Sequence, residues 1–422
     1  MEVKPGYKKT EAGIIPEDWG IYTFAEVFDF LNTANNPRSD LSEIGDYKYI
    51  HYGDVHANQS AFFDCEREDI PRIQKSRVQH LPLVEDGDLI MVDASEDYEG
   101  TGVSVEVKNI KEQYVVAGLH TLLLRGNKEF ITNGYKGYIQ SIRFIKQELI
   151  KIATGISVYG ISKNNLKRIS IPLPPLPEQR LIATALSDVD ALIAVLDTLI
   201  AKKRLVKQGA MQELLTGKKR LPGFSREWET KKLGELGKFS KGKGLPKDDL
   251  SANGKVPAIP YTSIYTDFNE IIKHELIKNF TSSTETVFIN SPHILIAGSS
   301  NMLENVGKAC AFNSYEEVAI GGDIILYKTV ADVCFISYLL NTQLHRKKIV
   351  FLSQGSTIRH VYASTFVDYE IETPSLGEQQ AITEILSEMD DEITALEQKR
   401  AKTCLLKQGM MQELLTGRIR LT

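Results

Sequence analysis

The 422-residue sequence has few cysteines, and the four present show no C-x-x-C spacing: Cys65, Cys310, Cys334 and Cys404. Scattered thiols of this kind favour reduced cysteines over a zinc site or a disulfide framework. The sequence also lacks any apolar run approaching about 18 residues, and its polar start, MEVKPGYKKTEAG, does not have the composition of a signal peptide. We therefore expect a cytoplasmic protein with no membrane segment.

Positive charge is not in excess. The net charge is −5 and the isoelectric point is about 6.0. A protein that binds nucleic acid through its overall charge would be basic, so any nucleic-acid site must be a local patch.

Catalytic and cofactor motifs are also missing. The segment GKFSKGKG (residues 237–244) approaches a phosphate-binding loop, but Gly244 replaces the required Ser or Thr and Pro246 blocks the following helix. This pattern favours a flexible basic turn over a nucleotide site. The sequence contains no H-E-x-x-H, no G-x-S-x-G and no N-P-P-Y or D-P-P-Y segment, and no G-x-G-x-x-G follows a strand-like run. We predict no catalytic residue, no metal ligand and no cofactor bound by this chain.

What the sequence does contain is a long internal repeat. Residues 176–221 recur as residues 376–421 at a constant offset of 200, and KQG-MQELLTG differs only at Ala210 against Met410. A period of this length is too long for a solenoid. It indicates that one unit of about 200 residues is present twice.

Each repeated segment is predicted to be one long helix. Apolar residues follow a heptad, with Leu192 and Val206 among its core positions. Ser375 and Glu378 form a capping-box pattern at the second start, and LLTG followed by cations marks both ends. A helix with so wide an apolar stripe needs a partner, for which the other copy is the obvious candidate. A helical hairpin buried inside a core remains an alternative.

The segments between the helices favour an α+β fold, because strand-like runs such as GDLIMVDA and HILIAGSS alternate with helical stretches near residues 135–153 and 333–351. Trp19 and Trp228 are interpreted as core anchors. The predicted division is a first domain at 1–175, a first helix at 176–217, a second domain at 218–375 and a second helix at 376–422.

Polar and aromatic loops in the two domains are the candidate nucleic-acid contacts. Amide, hydroxyl and guanidinium groups can contact base edges, and Lys and Ser commonly contact phosphates. For each residue an ordinary loop role remains the alternative. The candidates are Tyr52, Asp54, His56, Asn58, Ser157, Tyr159, Ser162, Lys163, Tyr261, Thr262, Ser263, Gln354, Ser356, Thr357, Arg359 and His360.

With IPEDW near the start, IPLPPLPEQR and IETPSLGEQQ before the helices and KQG-MQELLTG in both, the whole chain resembles the specificity subunit of a type I restriction–modification system. Ser375 and Gly377 replace prolines of the first helix entrance, which is a departure from the pattern.

The resemblance implies a non-catalytic protein whose two target-recognition domains each read one half of a split, asymmetric double-stranded DNA sequence. It also implies that the two helices pair antiparallel, hold the domains apart and set the gap. Two modification subunits, which bind S-adenosylmethionine and methylate adenine at N6, would dock on this scaffold, and restriction subunits that use ATP and Mg²⁺ can join. Two other interpretations stay open: a stand-alone DNA methyltransferase or nuclease with duplicated domains, and a coiled-coil adaptor that does not bind DNA.

Polar residues repeated at the helix ends are the candidate docking residues. Helix pairing alone rarely requires identical solvent-facing residues, so we predict that some of them contact the modification subunits. The alternative is that they only satisfy the helix crossing. The residues are Glu178, Gln179, Lys207, Gln208, Gln212, Glu213, Glu378, Gln379, Lys407, Gln408, Gln412 and Glu413.

Overall fold

The computed structural model describes residues 4–58 and 60–421. They form two compact units. Unit 1 contains the chain up to Asp197 together with the residues from Lys399 onward, and unit 2 contains Thr198–Gln398. Each long helix therefore begins in one unit and ends in the other.

Unit 1 is built of short strands and helices that precede one long helix. Its strands are β1 Tyr7–Thr10, β2 Gly13–Pro16, β3 Gly20–Thr23, β4 Phe28–Leu31, β5 Tyr47–Ile50, β6 Phe62–Asp64, β7 Arg72–Ile73, β8 Leu89–Val92, β9 Ala94–Ser95, β10 Ser104–Lys108, β11 Val115–Ala117, β12 Thr121–Gly126, β13 Tyr159–Gly160 and β14 Ser170–Leu173. Its helices are α1 Phe24–Val27, α2 Tyr52–Ala57, α3 Lys75–Val78, α4 Arg143–Ile152, α5 Lys163–Leu166 and the first part of α6 Leu176–Leu214.

Unit 2 repeats this order of elements. Its strands are β15 Glu229–Lys232, β16 Gly237–Lys241, β17 Leu250–Ser251, β18 Val256–Ile259, β19 Asn279–Thr281, β20 Val287–Ile289, β21 His293–Ala297, β22 Ser299–Ser300, β23 Ala309–Phe312, β24 Val318–Ile320, β25 Ile324–Thr329, β26 Arg359–His360 and β27 Glu370–Thr373. Its helices are α7 Leu233–Leu236, α8 Ser263–Thr266, α9 Val333–Leu340, α10 Gln343–Leu352, α11 Ala363–Val367 and the first part of α12 Leu376–Leu414.

An equivalent sheet lies at the centre of each unit, with the same order in its first four strands and a fifth strand in unit 1 alone. In unit 1 the order is β4-β12-β8-β10-β6, and in unit 2 it is β16-β25-β21-β23. Strands β8 and β21 are buried along their whole length, which explains their continuous apolar sequences. A second sheet follows in each unit, β11-β5-β7 or β17-β19-β18-β24-β20, and each contains one parallel pair.

The predicted helical stretches before the long helices are each interrupted. Residues 135–153 form a 3₁₀ helix, Lys136–Ser141, followed by α4, and the second stretch divides into α9 and α10. Ile142 is extended between the two parts of the first stretch.

The two predicted long helices form, each 39 residues and so about 58 Å long, but they end at Leu214 and Leu414, before the predicted ends at residues 217 and 422. Their buried face follows one of the two predicted heptad positions and the residues that flank it, but not the other position. Ile182, Leu186 and Leu196 are buried, whereas Leu192 and Val206 are exposed, so placing those two in the core was wrong. Position 392 lies on the same outer face and carries Glu in the second copy, where the first has Leu192.

Within each unit, parts of both helices run antiparallel. In unit 1, Asp190 pairs with Lys407 and Asp197 with Arg400, so the residue number rises on one helix as it falls on the other. In unit 2, Lys203 pairs with Glu392 and Lys207 with Asp390, which gives the same direction. The predicted antiparallel pairing is confirmed.

Both helix ends close in the same way. Gly217 and Gly417 have φ values of 67° and 69°, a left-handed conformation that suits glycine at a helix C-terminus. A Cβ on Gly417 would lie 2.5 Å from Pro16 Cδ, so the residue is also needed for close packing. Trp19 is buried as predicted, and Trp228, which is half-buried, packs edge-on against Phe335.

Candidate nucleic-acid interface

The segment that contains Tyr52, Asp54 and His56 is a short helix rather than the predicted loop. Helix α2 starts at Tyr52 because the Asp54 carboxylate accepts a 2.9 Å hydrogen bond from the His51 backbone N–H, which forms a capping box. Asp54 also pairs with Arg38 at 3.2 Å. Asn58 follows the helix, and its side chain donates to the Phe62 carbonyl. Asp54 and Asn58 are therefore engaged in holding the local backbone.

The equivalent segment of unit 2 is also helical. Tyr261 and Thr262 precede α8, which begins at Ser263. Ser263 is only 3% exposed, so its prediction as a nucleic-acid contact is wrong: a side chain inside the core cannot reach a ligand. Tyr261 remains exposed and lies edge-on to Tyr265.

Two exposed hairpins, residues 154–160 and 354–360, occupy equivalent places. Thr154 and Gln354 pair with residues 160 and 360 across each hairpin, and of the five residues between them the first four, 155–158 and 355–358, are exposed. Gly155 has a φ of 149° and Gly355 a φ of 108°. A Cβ would lie 1.8 Å from the Val158 carbonyl oxygen in the first hairpin, so glycine is required there. Ser157, Ser356 and Thr357 are on the exposed tips.

Three predicted contact residues use their polar groups to hold these hairpins and the helix after them. The Arg359 guanidinium donates to Ser353 Oγ at 2.9 Å, to the Gly355 carbonyl at 2.9 Å and to the Val350 carbonyl at 3.2 Å. Lys163 Nζ donates to the Phe30 carbonyl, and Ser162 Oγ caps α5 by accepting from the Asn165 N–H. The polar groups of Arg359, Lys163 and Ser162 therefore hydrogen-bond within the protein.

The hairpins are joined to the central sheet by the segment that follows β8 or β21. Strand β13 pairs with β9 in unit 1, and β26 pairs with β22 in unit 2. His120 and Asp323 stand beside these pairs in the left-handed conformation, with φ values of 55° and 60°. Their carbonyls accept from the N–H groups of Asp93 and Gly298. The scaffold is therefore repeated although the side chains differ.

In unit 1 this arrangement brings several predicted residues together. His56 Nε2 is 3.4 Å from the Ala94 carbonyl oxygen, and the ring of Tyr52 lies edge-on to His120 at 5.5 Å. Tyr159 packs on Tyr98 at 3.8 Å between ring centroids. His120 and Tyr98 were missed because nothing in their local sequence marks them; only the pairing of β9 with β13 places them here.

The surfaces of the two units differ in charge. The unit 1 segment carries Glu96, Asp97 and Glu99, whereas in unit 2 Lys241 pairs with Asp323 at 3.3 Å. The GKG turn after Lys241 is held by the segment just before β25, because the Gly322 N–H donates to the Gly244 carbonyl. The basic turn predicted from the sequence therefore lies next to the second hairpin scaffold.

Three of the four thiols are buried, and the fourth, Cys404, is half-buried. Burial raises the pKa of Cys65, Cys310 and Cys334 to about 12, so these thiols stay protonated at neutral pH. Within residues 4–58 and 60–421, no cluster of three His, Cys, Asp or Glu side chains could hold a metal ion. No helix in this part of the chain is long and apolar enough to cross a membrane.

At the start of each long helix, the repeated Glu-Gln pair is buried rather than solvent-facing. Glu178 accepts from Arg420 at 2.7 Å and from the Trp19 indole at 3.1 Å, and both oxygens of Glu378 accept from Arg220 at 2.7 Å. The Glu378 carboxylate thus binds Arg220, where the sequence predicted a capping box.

The glutamines are equally enclosed. Gln179 donates to the Phe130 and Pro174 carbonyls and accepts from the Thr132 N–H. Gln379 makes the equivalent bonds with Pro374 and Asp332. The prediction that the four Glu and Gln residues face solvent is wrong, because each completes its hydrogen bonds inside its own unit.

The repeated lysines are also internal. Lys207 Nζ lies 2.8 Å from Glu270 and 2.7 Å from Asp390, and Lys407 Nζ lies 2.5 Å from Asp190. Lys207 is 9% exposed, and Lys407 is half-buried. Their identity in both copies is explained by the helix crossing, which was the alternative interpretation. Gln208, Gln212, Glu213, Gln408 and Gln412 are exposed, and Glu413 is half-buried.

Comparison with known proteins places these features in a family. A model for the type I restriction modification DNA specificity domain matches residues 16–202 and again residues 225–403. A Methanocaldococcus jannaschii protein assigned as the MjaX type I restriction enzyme specificity subunit is 26% identical, over 98% of this chain and 96% of its own length. The MjaVIII specificity subunit of the same organism is also 26% identical, over 65% of this chain and 68% of its own length.

Two solved structures share the fold. The type I restriction–modification S subunit from M. genitalium has a TM-score of 0.59 and 14% identity, with 98% of each chain covered. A chain from a structure concerned with complex assembly and conformational transition of the type I system has a TM-score of 0.54 and 17% identity, covering 96% of this chain and 99% of its own.

Proposed function

Because the chain belongs to the type I restriction–modification DNA specificity family, with both of its units matched, we propose that each unit reads one half of a bipartite, asymmetric double-stranded DNA target. The long helices set the gap between the half-sites and dock two methyltransferase subunits. Specificity subunits are non-catalytic, so S-adenosylmethionine belongs to the methyltransferase subunits, which methylate adenine at N6. ATP and Mg²⁺ belong to restriction subunits that join the complex.

The observation that supports this proposal is one scaffold carrying two different surfaces. Both hairpins start with a strained glycine and pair with the segment after the central strand. Their tips nevertheless read ISVY in unit 1 and STIR in unit 2. Base recognition depends on which donors, acceptors and apolar groups are presented. Two different sets of side chains on the same backbone scaffold are suited to two different half-sites.

The test is an exchange of the part of unit 1 that precedes the first long helix. Residues from about Gly20 to Ile169 are replaced by the first domain of another family member, and the methylated sequence is determined in cells by single-molecule sequencing. We expect one half-site to change and the other to stay. A change in both half-sites, or in neither, would contradict the assignment of one half-site to each unit.

A further inference from the structure

The exposed hairpin of each unit lies at the same end of the central sheet as two other segments. One is the end of the edge strand β4 or β16 with the turn after it, and the other follows the central strand β8 or β21. By the pairing register of the edge strands, Asn32 in unit 1 and Lys241 in unit 2 take equivalent places. We call the three segments of each unit its hairpin-side surface: residues 32–35, 94–100 and 154–160 in unit 1, and residues 241–244, 299–305 and 354–360 in unit 2.

Side-chain contacts join these segments to the hairpins. In unit 2, Lys241 Nζ lies 3.3 Å from the Asp323 carboxylate, and Ser299 Oγ donates to the same carboxylate at 3.3 Å. Ser299 belongs to β22, which pairs with the hairpin strand β26. In unit 1, Tyr98 packs on Tyr159 of the hairpin. A ligand that covers either hairpin therefore also meets the charged residues of the neighbouring segments.

The two hairpin-side surfaces carry opposite charge. In unit 1 the charged residues are three carboxylates, which give a formal charge of −3: Glu96, Asp97 and Glu99. In unit 2 three cations and one carboxylate give a formal charge of +2: Lys241, Lys243, Arg359 and Glu304. Because the pairing of each hairpin with the segment after the central strand is repeated, the difference lies in the side chains.

The lysine turn of unit 2 has a fixed backbone. A Cβ on Gly242 would lie 2.1 Å from the Gly321 carbonyl oxygen, and Gly244 has a φ of 69°. Both glycines are therefore required by the path of the chain. The Lys243 carbonyl accepts a 2.8 Å hydrogen bond from Thr286 Oγ1. The turn thus presents its exposed lysines from a defined position.

The cation that follows the hairpin in unit 1 is instead engaged inside the protein. Lys163 Nζ donates to the Phe30 carbonyl at 3.1 Å and lies 5.6 Å from the centre of the Phe30 ring. In unit 2 the Lys243 side chain is exposed, and Lys241 keeps 67% of its side chain exposed in its ion pair with Asp323. Exposed cations therefore lie on the hairpin-side surface of unit 2, and exposed carboxylates on that of unit 1.

We propose that unit 2 is the electrostatic anchor on DNA: Lys241 and Lys243 contact backbone phosphates, while unit 1 holds its half-site mainly through base edges and DNA shape. This inference rests on the proposed function and gives the two units unequal roles. Each phosphate contact with a lysine releases counterions, so the logarithm of the affinity falls by about 0.9 per tenfold rise in salt for each contact. Carboxylates repel phosphates, so the acidic surface of unit 1 opposes such contacts.

The test measures the salt dependence of each half-site separately. Two duplexes, each with one half-site and the gap, are titrated with the complex of this chain and the methyltransferase subunits, by fluorescence anisotropy between about 50 and 200 mM KCl. The methyltransferase subunits are identical, so a difference between the duplexes reports on this chain. We expect the steeper loss of affinity on the unit 2 duplex. In the variant Lys241→Gln with Lys243→Gln, that loss should be about 12-fold smaller over the same range, which corresponds to two missing phosphate contacts.

The matched control is the variant Lys238→Gln with Lys328→Gln. These exposed lysines lie opposite each other on the same two strands, β16 and β25, toward the end away from the hairpin. The change in charge is the same, and the salt dependence should stay that of the original protein. In unit 1, Glu96→Gln with Glu99→Gln should strengthen binding to the unit 1 duplex, most strongly at low salt.

Equal salt dependence on the two duplexes, or the same reduction in the control variant, would overturn the inference while leaving the proposed function intact. No preference of the original complex for the full target over a scrambled duplex would overturn the proposed function as well. All substituted side chains are exposed, so the melting temperatures should stay close to that of the original protein. If a variant does unfold, the comparison of the two duplexes with the original protein still decides.

Discussion

Replacement of Lys207 by methionine should destabilise unit 2 more than the equivalent change at Lys407 destabilises unit 1. Lys207 bridges two carboxylates, those of Glu270 and Asp390, and its side chain is 11% exposed. Lys407 contacts one, that of Asp190, and its side chain is 18% exposed. Both lie over a tyrosine ring, and that tyrosine donates to the same aspartate. Methionine is one heavy atom shorter than lysine and keeps its unbranched apolar stem, while it removes the charge and the hydrogen-bond donors.

The two costs can be estimated from the burial of each pair. Removing one partner of a buried ion pair costs about 3–5 kcal/mol, whereas an exposed pair contributes about 0–1 kcal/mol. We expect about 3 kcal/mol for Lys207→Met and about 1–2 kcal/mol for Lys407→Met, between those limits. By hydrogen exchange, amides of α9 should open about 100-fold more often in the first variant, since about 1.4 kcal/mol is tenfold.

The pH dependence gives a second readout. Burial disfavours the charged form of Lys207, but Glu270 and Asp390 outweigh it and raise its pKa above the ordinary 10.5. Its contribution is therefore complete below pH 10.5 and is lost only as the pH rises through the raised value. In Lys207→Met the carboxylates of Glu270 and Asp390 are left without this cation at every pH.

The difference in stability between Lys207→Met and the original protein should therefore be largest below pH 10.5 and should shrink as the pH rises through the raised pKa of Lys207. Protection factors, which remove the intrinsic pH dependence of hydrogen exchange, measure this stability difference in each unit separately. Equal costs for the two variants, or a difference that does not change with pH, would refute this account of the bridged pair.

Three further predictions concern recognition and partners. Gly155→Ala and Gly355→Ala should each weaken DNA binding about 10- to 100-fold, which corresponds to the loss of one or two base contacts. Native mass spectrometry should still show both methyltransferase subunits bound. Unchanged DNA affinity would mean that the hairpins do not contact DNA. One heptad inserted after Leu199 with another after Lys399 adds about 10 Å to each helix. The preferred gap between the two half-sites should therefore grow by roughly one to three base pairs, at about 3.4 Å each. Full methylation of targets with the original gap would argue against a spacing role for the helices. The isolated chain should not bind S-adenosylmethionine, and stoichiometric binding in calorimetry would favour the stand-alone methyltransferase.

The repeat made the architecture predictable without any structure. A constant offset of 200 residues, an apolar periodicity and the glycine that ends LLTG are local or pairwise properties of the chain, so they predicted two long helices and two α+β units. Glycine was predictable for the same reason at Gly217 and Gly417 and at the start of both hairpins, because the backbone conformation at each of these positions is a local property.

Tertiary structure alone decided which repeated residues are internal and which are exposed. Glu178 and Gln208 are equally polar and equally repeated, but Glu178 meets Arg420, 242 residues away, while Gln208 stays exposed. Sequence spacing within one helix cannot reveal a partner on a distant segment. Likewise Ser263 is polar yet buried, and Leu192 is apolar yet exposed. Local pattern determines the element and its period, whereas the packing of distant segments determines which face of that element is covered.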